Sequence, residues 1–317
     1  MIDLHCDTIS KLAMPMHKGN LVHNPYSVDL ERLEKAGSLL QCFSTFFDAG
    51  VYPKFFRDEK AFKKADHMID VFEKNLELCE GRLVWVQSWK DLESCMEEKK
   101  VGALLTLEDG AAVGSSMEKL HHFYERGIRL ITLTWNHENA IGYPNSDNPE
   151  IMSSGLKPFG LEMIEEMNRL GMIIDVSHLS DGGFWDVARH SSKPFIASHS
   201  NSRSITVHSR NITDVMIKTI AEKGGVIGLN FCPGFLGTDK KSSISHMLHH
   251  VKHIYEVGGE DVLALGTDLD GTGGKMQINS CDEMWRLKEA LQKHRMPSRV
   301  IDKMWQNNAL RVMKEIL

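Results

Sequence analysis

Long apolar runs are missing from this chain. No stretch approaches the roughly 20 apolar residues of a membrane span, so contact with a membrane is not expected. The N-terminus lacks a signal-peptide pattern, because Asp3, His5 and Asp7 interrupt any apolar core and no basic segment precedes them. The expected location is therefore cytoplasmic. Runs of Lys or Arg are also lacking. With a formal net charge of −6, the chain offers no nucleic-acid groove. No CxxC pair occurs among Cys6, Cys42, Cys79, Cys95, Cys232 and Cys281. Buried free thiols are expected, with Cys6 turned toward an outer helix layer. No Gly-rich dinucleotide loop follows the first apolar run, and Gly271–Gly274 lacks the Lys-Ser/Thr of a phosphate loop. Repeats, low-complexity tracts and Pro/Gly/Ser linkers are absent too. Residues 1–317 are read as one domain.

What remains is ordinary globular composition, 42% hydrophobic and 25% charged. Short apolar runs alternate with longer amphipathic segments. Strands are expected at Ile2–Cys6, Ser38–Phe46, Gly102–Leu107, Arg129–Thr134, Met172–Val176, Pro194–Ala197, Gly225–Asn230 and Val262–Gly266. Helices are expected at Asp58–Cys79, Asp91–Glu98, Met117–Arg126, Pro158–Leu170, Gly183–His190, Ile212–Lys223, Ser243–Val257, Cys281–His294 and Ser298–Ile316. Asn211 is placed to cap the sixth of these, and Gly171 to end the helix before the fifth strand. The strands are continuous Val/Ile/Leu-rich runs, which suits parallel strands covered by helices. The fold class is α/β, and eight such units imply a (β/α)₈ TIM-type barrel. A doubly wound open sheet is the alternative. The polar stretch Asn136–Gly155 follows the fourth strand, where a barrel keeps substrate loops.

The chemistry lies in position. His5 and Asp7 follow the first strand, and their i, i+2 spacing turns both side chains to one face of it. Glu108 follows the third strand, His178 the fifth, His199 the sixth and Asp268 the eighth. All sit at C-terminal strand ends, the rim where barrel enzymes carry their active sites. Singly, each has a plainer reading. A strand-end His is usually a satisfied polar residue, and Glu108-Asp109-Gly110 and Asp268-Leu269-Asp270-Gly271 read as turns. Their coincidence on one rim raises the joint case. Mixed nitrogen and oxygen ligands suit zinc, with manganese, cobalt or iron as substitutes. Five ligands exceed what one catalytic zinc takes, so two ions sharing Glu108, with a hydroxide bridging them, are expected. By contrast, His246, His249, His250 and His253 recur at helical spacing with no carboxylate among them, and are read as a solvated outer face.

Asp3-Leu4-His5-Cys6-Asp7, Leu107-Glu108-Asp109-Gly110, Asp175-Val176-Ser177-His178, Ser198-His199-Ser200, Ser209-Arg210-Asn211, Gly266-Thr267-Asp268-Leu269-Asp270-Gly271 and Asn308-Ala309-Leu310-Arg311-Val312 together resemble the signatures of the membrane (renal) dipeptidases. The resemblance spans nearly the whole chain, in matching order. It implies an amidohydrolase-type barrel with a binuclear zinc centre. His5, Asp7 and Glu108 would bind one ion, and Glu108, His178 and His199 the other. It implies that Arg210 holds the substrate's C-terminal carboxylate, a role that a guanidinium fork suits. It implies that Asp268 is the catalytic carboxylate that takes a proton from the water and passes it to the leaving amine. Asp270 would contact the substrate amine. The family's mammalian members carry a carbonyl-polarising histidine where this chain has Trp135; His137 or Asn136 would stand in. The implied reaction is zinc-dependent hydrolysis of small dipeptides, L-X–D-X ones included, by attack of the hydroxide bridging the two metals. A homodimer is also compatible with the family. The rival readings are a binuclear barrel hydrolase of cyclic amides or lactones, and a catalytically silent metal-binding scaffold.

Overall fold

The structure, a computed structural model, describes residues 1–317. Its strands are β1 (Ile2–Cys6), β2 (Leu40–Phe46), β3 (Leu83–Trp85), β4 (Val101–Glu108), β5 (Ile128–Thr132), β6 (Ile173–Asp175), β7 (Ile227–Leu229), β8 (Lys241–Ser242), β9 (Leu263–Leu265) and β10 (Lys275–Met276). The helices are α1 (Thr8–Leu12), α2 (Leu30–Lys35), α3 (Lys54–Leu78), α4 (Trp89–Glu98), α5 (Met117–Glu125), α6 (Pro149–Ser153), α7 (Pro158–Leu170), α8 (Asp181–His190), α9 (Asp214–Glu222), α10 (Pro233–Leu236), α11 (Ile244–Gly258), α12 (Trp285–Lys293), α13 (Ser298–Asp302) and α14 (Asn308–Ile316).

The main sheet is parallel and runs β6-β5-β4-β2-β1-β9-β7. Residues 196–197 lie between its two ends. Val176 N–H donates to Ile196 O at 2.8 Å, Ile196 N–H to Ile174 O at 2.9 Å and Gly228 N–H to Ala197 O at 2.8 Å. Isolated parallel bridges Asp175–Ile196 and Ala197–Ile227 record the same contacts. With that segment as a stave, eight staves close the α/β barrel. The expected strand Pro194–Ala197 is thus present as pairing, although too short to be a regular strand. Gly228 and Gly266 flank it, and a Cβ on either would meet Ser198 O at 1.8 and 1.7 Å. Glycine at both lets these staves approach.

Two apolar layers hold the barrel. The smaller takes residues from every stave, such as Leu4, Cys42, Leu104, Ile173, Ile196 and Ala264, together with Ala309, Val312, Met313 and Ile316 of α14. Residues from all staves meet only in a barrel interior, so α14 stoppers its N-terminal end. The larger layer lies between staves and outer helices. Each fully buried Leu, Ile or Phe there contributes roughly 1.5–3 kcal/mol. The helix α3 shows the pattern: Ala61, Ala65, Met68, Ile69 and Phe72 are buried and recur at helical spacing on one face.

Boundaries follow local chemistry. α7 starts with Pro158 at its first turn and ends at Gly171, with φ 73° in the left-handed region. α3 begins at Lys54, four residues before the expected start, because Pro53 sits at the N-cap. α9 is capped by Thr213, whose side chain accepts from Met216 N–H. Asn211 does not cap it; its amide donates to Thr206 O and Phe235 O, both at 2.9 Å. All six cysteines are free, and Cys6 is fully buried in the outer layer as expected. No helix is long and apolar enough to cross a membrane.

Candidate active site

The C-terminal ends of the staves bring the rim residues together. β1 stops at Cys6, and Asp7 leaves the extended conformation with φ −104° and ψ 20°, at the N-cap of α1. His5 and Asp7 therefore converge through a turn rather than through strand alternation alone. Backbone bonds stitch this turn to the last stave: Asp268 N–H donates to His5 O at 3.1 Å, and Asp7 N–H to Leu269 O at 2.9 Å. His178, Asp109, Asp268 and Asp270 all have positive φ, at 66°, 80°, 60° and 69°. Such backbone costs of order 1–3 kcal/mol per residue and gathers at functional sites.

Glu108 lies at the centre. Its Oε2 is 3.3 Å from His5 Nε2, which is itself 3.4 Å from Asp7 Oδ2. Its Oε1 is 3.2 Å from His178 Nε2 and 3.6 Å from His199 Nε2. The last two nitrogens are 3.1 Å apart. The two carboxylate oxygens thus face two separate ligand sets. His5, Asp7 and Asp268 also lie within mutual reach of one ion.

A second layer aims these groups. His199 Nδ1 is 2.7 Å from Ser198 Oγ, which donates to Asp175 Oδ2 at 2.6 Å. His178 Nδ1 is 3.3 Å from Asn136 Oδ1. With both Nδ1 atoms so engaged, both Nε2 atoms point at Glu108. Asp3 receives Thr267 Oγ1–H at 2.7 Å and Gln41 Nε2–H at 3.0 Å, bracing the turn before Asp268. Asn230 Nδ2 donates to Asp268 Oδ2 at 3.0 Å and to His199 O at 3.2 Å.

The electrostatics fit a cation site. Burial, then the Arg210 charge, push His178 down to about 4, and burial with His5 lowers His199. Burial opposes a charge on His5, but Glu108 and Asp7 outweigh it and raise its pKa well above the ordinary value. Burial also opposes the Glu108 charge, yet the surrounding imidazoles hold it well below the carboxylate range. Burial, with Asp7 and Glu108 nearby and against the pull of His5, raises Asp268 to about 7. Three carboxylates thus share a desolvated pocket with two imidazoles held neutral. Neither ring nitrogen of His5 nor Oδ1 of Asp7 has a hydrogen-bond partner. Orphaned donors of this nitrogen and oxygen chemistry fit divalent metal, which would replace the proton that His5 otherwise keeps.

The cavity above the cluster measures about 310 Å³ and is lined by Asp7, Glu108, Trp135, Asn136, His178, Arg210 and Asp268 among others. Arg210 is buried at 5% exposure. Its guanidinium donates to His199 O at 3.1 Å and Ser200 Oγ at 3.4 Å, stacks 5.2 Å above Phe235, and leaves Nε without a partner. No carboxylate of the chain answers its charge. His137 is not brought to this cavity: its Nε2 turns to Asp48 Oδ1 at 3.4 Å and packs against Gly50, which leaves no room for a side chain there. Asp270 stands behind the wall, its oxygens engaged by Thr8 Oγ1 at 2.6 Å and Ser27 N–H at 2.8 Å. Sequence reasoning missed Asn230, Asn145 and His208. Asn230 ends a stave, so the rim rule that found the ligands could have found it; the loop residues Asn145 and His208 carry no such signal.

The whole chain, residues 1–317, matches the family model described as membrane dipeptidase, peptidase family M19. The chain belongs to the membrane dipeptidase family. It is a metallodipeptidase, and the family implies a metal cofactor and a dipeptide substrate. The dipeptidase tcpJ of Claviceps purpurea is 27% identical over 295 residues, covering 91% of this chain and 69% of that one. An uncharacterized protein in the pqqA 5′ region of Klebsiella pneumoniae is 32% identical over 246 residues, covering 74% and 90%. A solved M19 metallopeptidase, dipeptidase AC, has 25% identity and TM-score 0.90, covering 99% of this chain and 98% of its own. A metallopeptidase of Rhodobacter sphaeroides, solved with a phosphinate mimic of L-Ala-D-Ala, superposes at TM-score 0.89 with 24% identity over 100% and 99%. Both solved structures share the fold described above.

Proposed function

We propose that this dipeptidase works with two zinc ions and cleaves small dipeptides, L-X–D-X ones included. The observation that carries the reading is Glu108, whose two oxygens face His5 with Asp7 on one side and His178 with His199 on the other. His5, Asp7 and Glu108 would hold one zinc, and Glu108, His178 and His199 the other. When bound, the pair supplies a hydroxide nucleophile near neutral pH and a Lewis acid for the carbonyl.

The chain's own residues do the rest. Arg210 receives the substrate's C-terminal carboxylate, since a buried guanidinium without an anionic partner binds one bidentately. Fixing that end positions the scissile carbonyl over the cluster. Asn136 and Trp135, on the cavity wall, take the place expected of His137 beside that carbonyl. With Oδ2 held by Asn230, Asp268 has Oδ1 to take the nucleophile's proton and return it to the leaving amine. Asp270, engaged by Thr8 and Ser27, supports the substrate amine indirectly by shaping the turn beneath it. Residues 1–317 act as one domain in this reading, and the six free thiols suit the cytoplasm.

The test is direct. Purified protein given two equivalents of zinc is assayed against a panel of L,L and L,D dipeptides. Turnover with two bound zinc ions supports the reading. An intact panel overturns it.

A further inference from the structure

The guanidinium of Arg210 makes hydrogen bonds through its terminal nitrogens, to Ser200 Oγ and His199 O, while its buried Nε has no partner. The next residue carries the matching defect. Asn211 is fully buried, and its Oδ1 has no partner either. An unmet donor and an unmet acceptor thus sit on adjacent residues, and buried groups left so are costly. Both residues line a small cavity of about 10 Å³. His178 and Arg210 are the residues it shares with the substrate cavity. That volume is about what one water molecule needs.

The rest of Asn211 is committed. Its Nδ2 donates to Thr206 O and to Phe235 O, both at 2.9 Å. These bonds use both amide protons, so the amide orientation is fixed and Oδ1 is the free end. Phe235 lies on α10, and its ring is the platform 5.2 Å from the guanidinium. His208 stacks on the same ring at 4.7 Å, and its Nδ1 accepts Arg210 N–H at 3.1 Å. Arg203 braces the other side: its Nε donates to Asn211 O at 2.7 Å, and its terminal nitrogens pair with Asp181 at 2.7 and 2.8 Å. Asn211 therefore joins the segment that carries Arg210 to the helix that carries its platform.

We propose that Asn211 is the positioning residue of Arg210. Its amide nitrogen holds Phe235 beneath the guanidinium, and its oxygen shares one buried water with Arg210 Nε. The water accepts from Nε–H and donates to Oδ1, so both unmet groups are satisfied together. One proton on each terminal nitrogen of Arg210 then remains for the substrate carboxylate, which is met by the end of the fork and not by its Nε edge. The inference rests on the proposed role of Arg210.

The experiment is a mutant cycle. Asn211→Ala and the gentler Asn211→Ser are each made in the wild-type and in the Arg210→Ala enzyme, all loaded with zinc. In the wild-type background either change should raise KM for L-Ala-D-Ala at least about tenfold, the worth of one hydrogen bond to a charged group, with kcat less affected. Affinity for a phosphinate mimic of L-Ala-D-Ala, read by calorimetry, should fall alike without any turnover. In the Arg210→Ala background neither change should add to KM, because a residue that acts only through the guanidinium has nothing left to act on. Zinc content, counted by elemental analysis, should stay constant throughout. Diffraction from wild-type crystals, which needs no variant, should show one water within hydrogen-bond distance of Arg210 Nε and Asn211 Oδ1. An unmoved KM in the wild-type background, a rise that persists without Arg210, or a cavity without that water overturns the inference and leaves the dipeptidase reading standing. If Arg210→Ala itself leaves KM unmoved, the carboxylate role of Arg210 fails and this inference with it.

Discussion

His199 Nδ1 sits 2.7 Å from Ser198 Oγ, the neighbouring residue in sequence. The serine hydroxyl in turn donates a hydrogen bond to Asp175 Oδ2, 2.6 Å away. A carboxylate, a hydroxyl and an imidazole thus form a line ending at Glu108. The line fixes the His199 tautomer, keeping the proton on Nδ1 and the lone pair on Nε2. Ser198→Ala should leave the barrel folded while weakening metal binding by about 10–100-fold. Competition with a chelator measures this. Unchanged affinity would show that the relay is dispensable.

Glu108→Gln tests the sharing of one carboxylate between two sites. Its oxygens face His5 and His178 at 3.3 and 3.2 Å. The amide keeps the shape but loses the charge, so both metals should leave together. Elemental analysis after dialysis counts them. One ion retained per chain would rule out the bridge.

Arg210→Ala should raise KM with kcat less affected, because the carboxylate is held alike in ground and transition states. The loss is about 2–5 kcal/mol, the range for removing one member of a buried charge pair. Dipeptide amides, which lack that carboxylate, should be insensitive. A ring-cleaving hydrolase would be indifferent to the change for its own substrates.

His250, which is not one of the proposed metal ligands, makes stability depend on pH. Its Nδ1 accepts Ser202 N–H at 3.1 Å and its Nε2–H donates to Leu236 O at 3.1 Å. The Nδ1 bond needs the neutral ring, because a protonated Nδ1 cannot accept from Ser202 N–H. Burial, chiefly, lowers its pKa from 6.5 to about 4. The neutral fold is favoured, so the contribution is complete above pH 6.5 and fades as pH falls from there toward 4. It amounts to roughly 3 kcal/mol at most. Urea titrations at pH 7 and 4.5 should show a steeper acid loss for wild type than for His250→Gln. Parallel losses would refute it.

The sequence carried the barrel and its rim because both rest on local pattern. Apolar runs marked all eight staves to within a few residues, and the ligands follow them directly. β3 escaped, since Leu83-Val84-Trp85 is too short for any periodicity to register. Two histidines of α11, His250 and His253, were misjudged for a different reason. Helical spacing places His250 on a face but cannot tell that Ser202 and Leu236 cover it, nor that His253 pairs with Asp214 at 2.8 Å.

Gly271 has the last consequence. A Cβ at this position would meet Asp7 Oδ2 at 2.0 Å and Asp268 Oδ1 at 2.3 Å. Neither oxygen is free to retreat if one binds metal and the other carries the proton. Saturation mutagenesis here, followed by selection for turnover, should return glycine alone, and even alanine should drop out. A position that contributes no chemistry of its own would then prove as intolerant of variation as the ligands it separates.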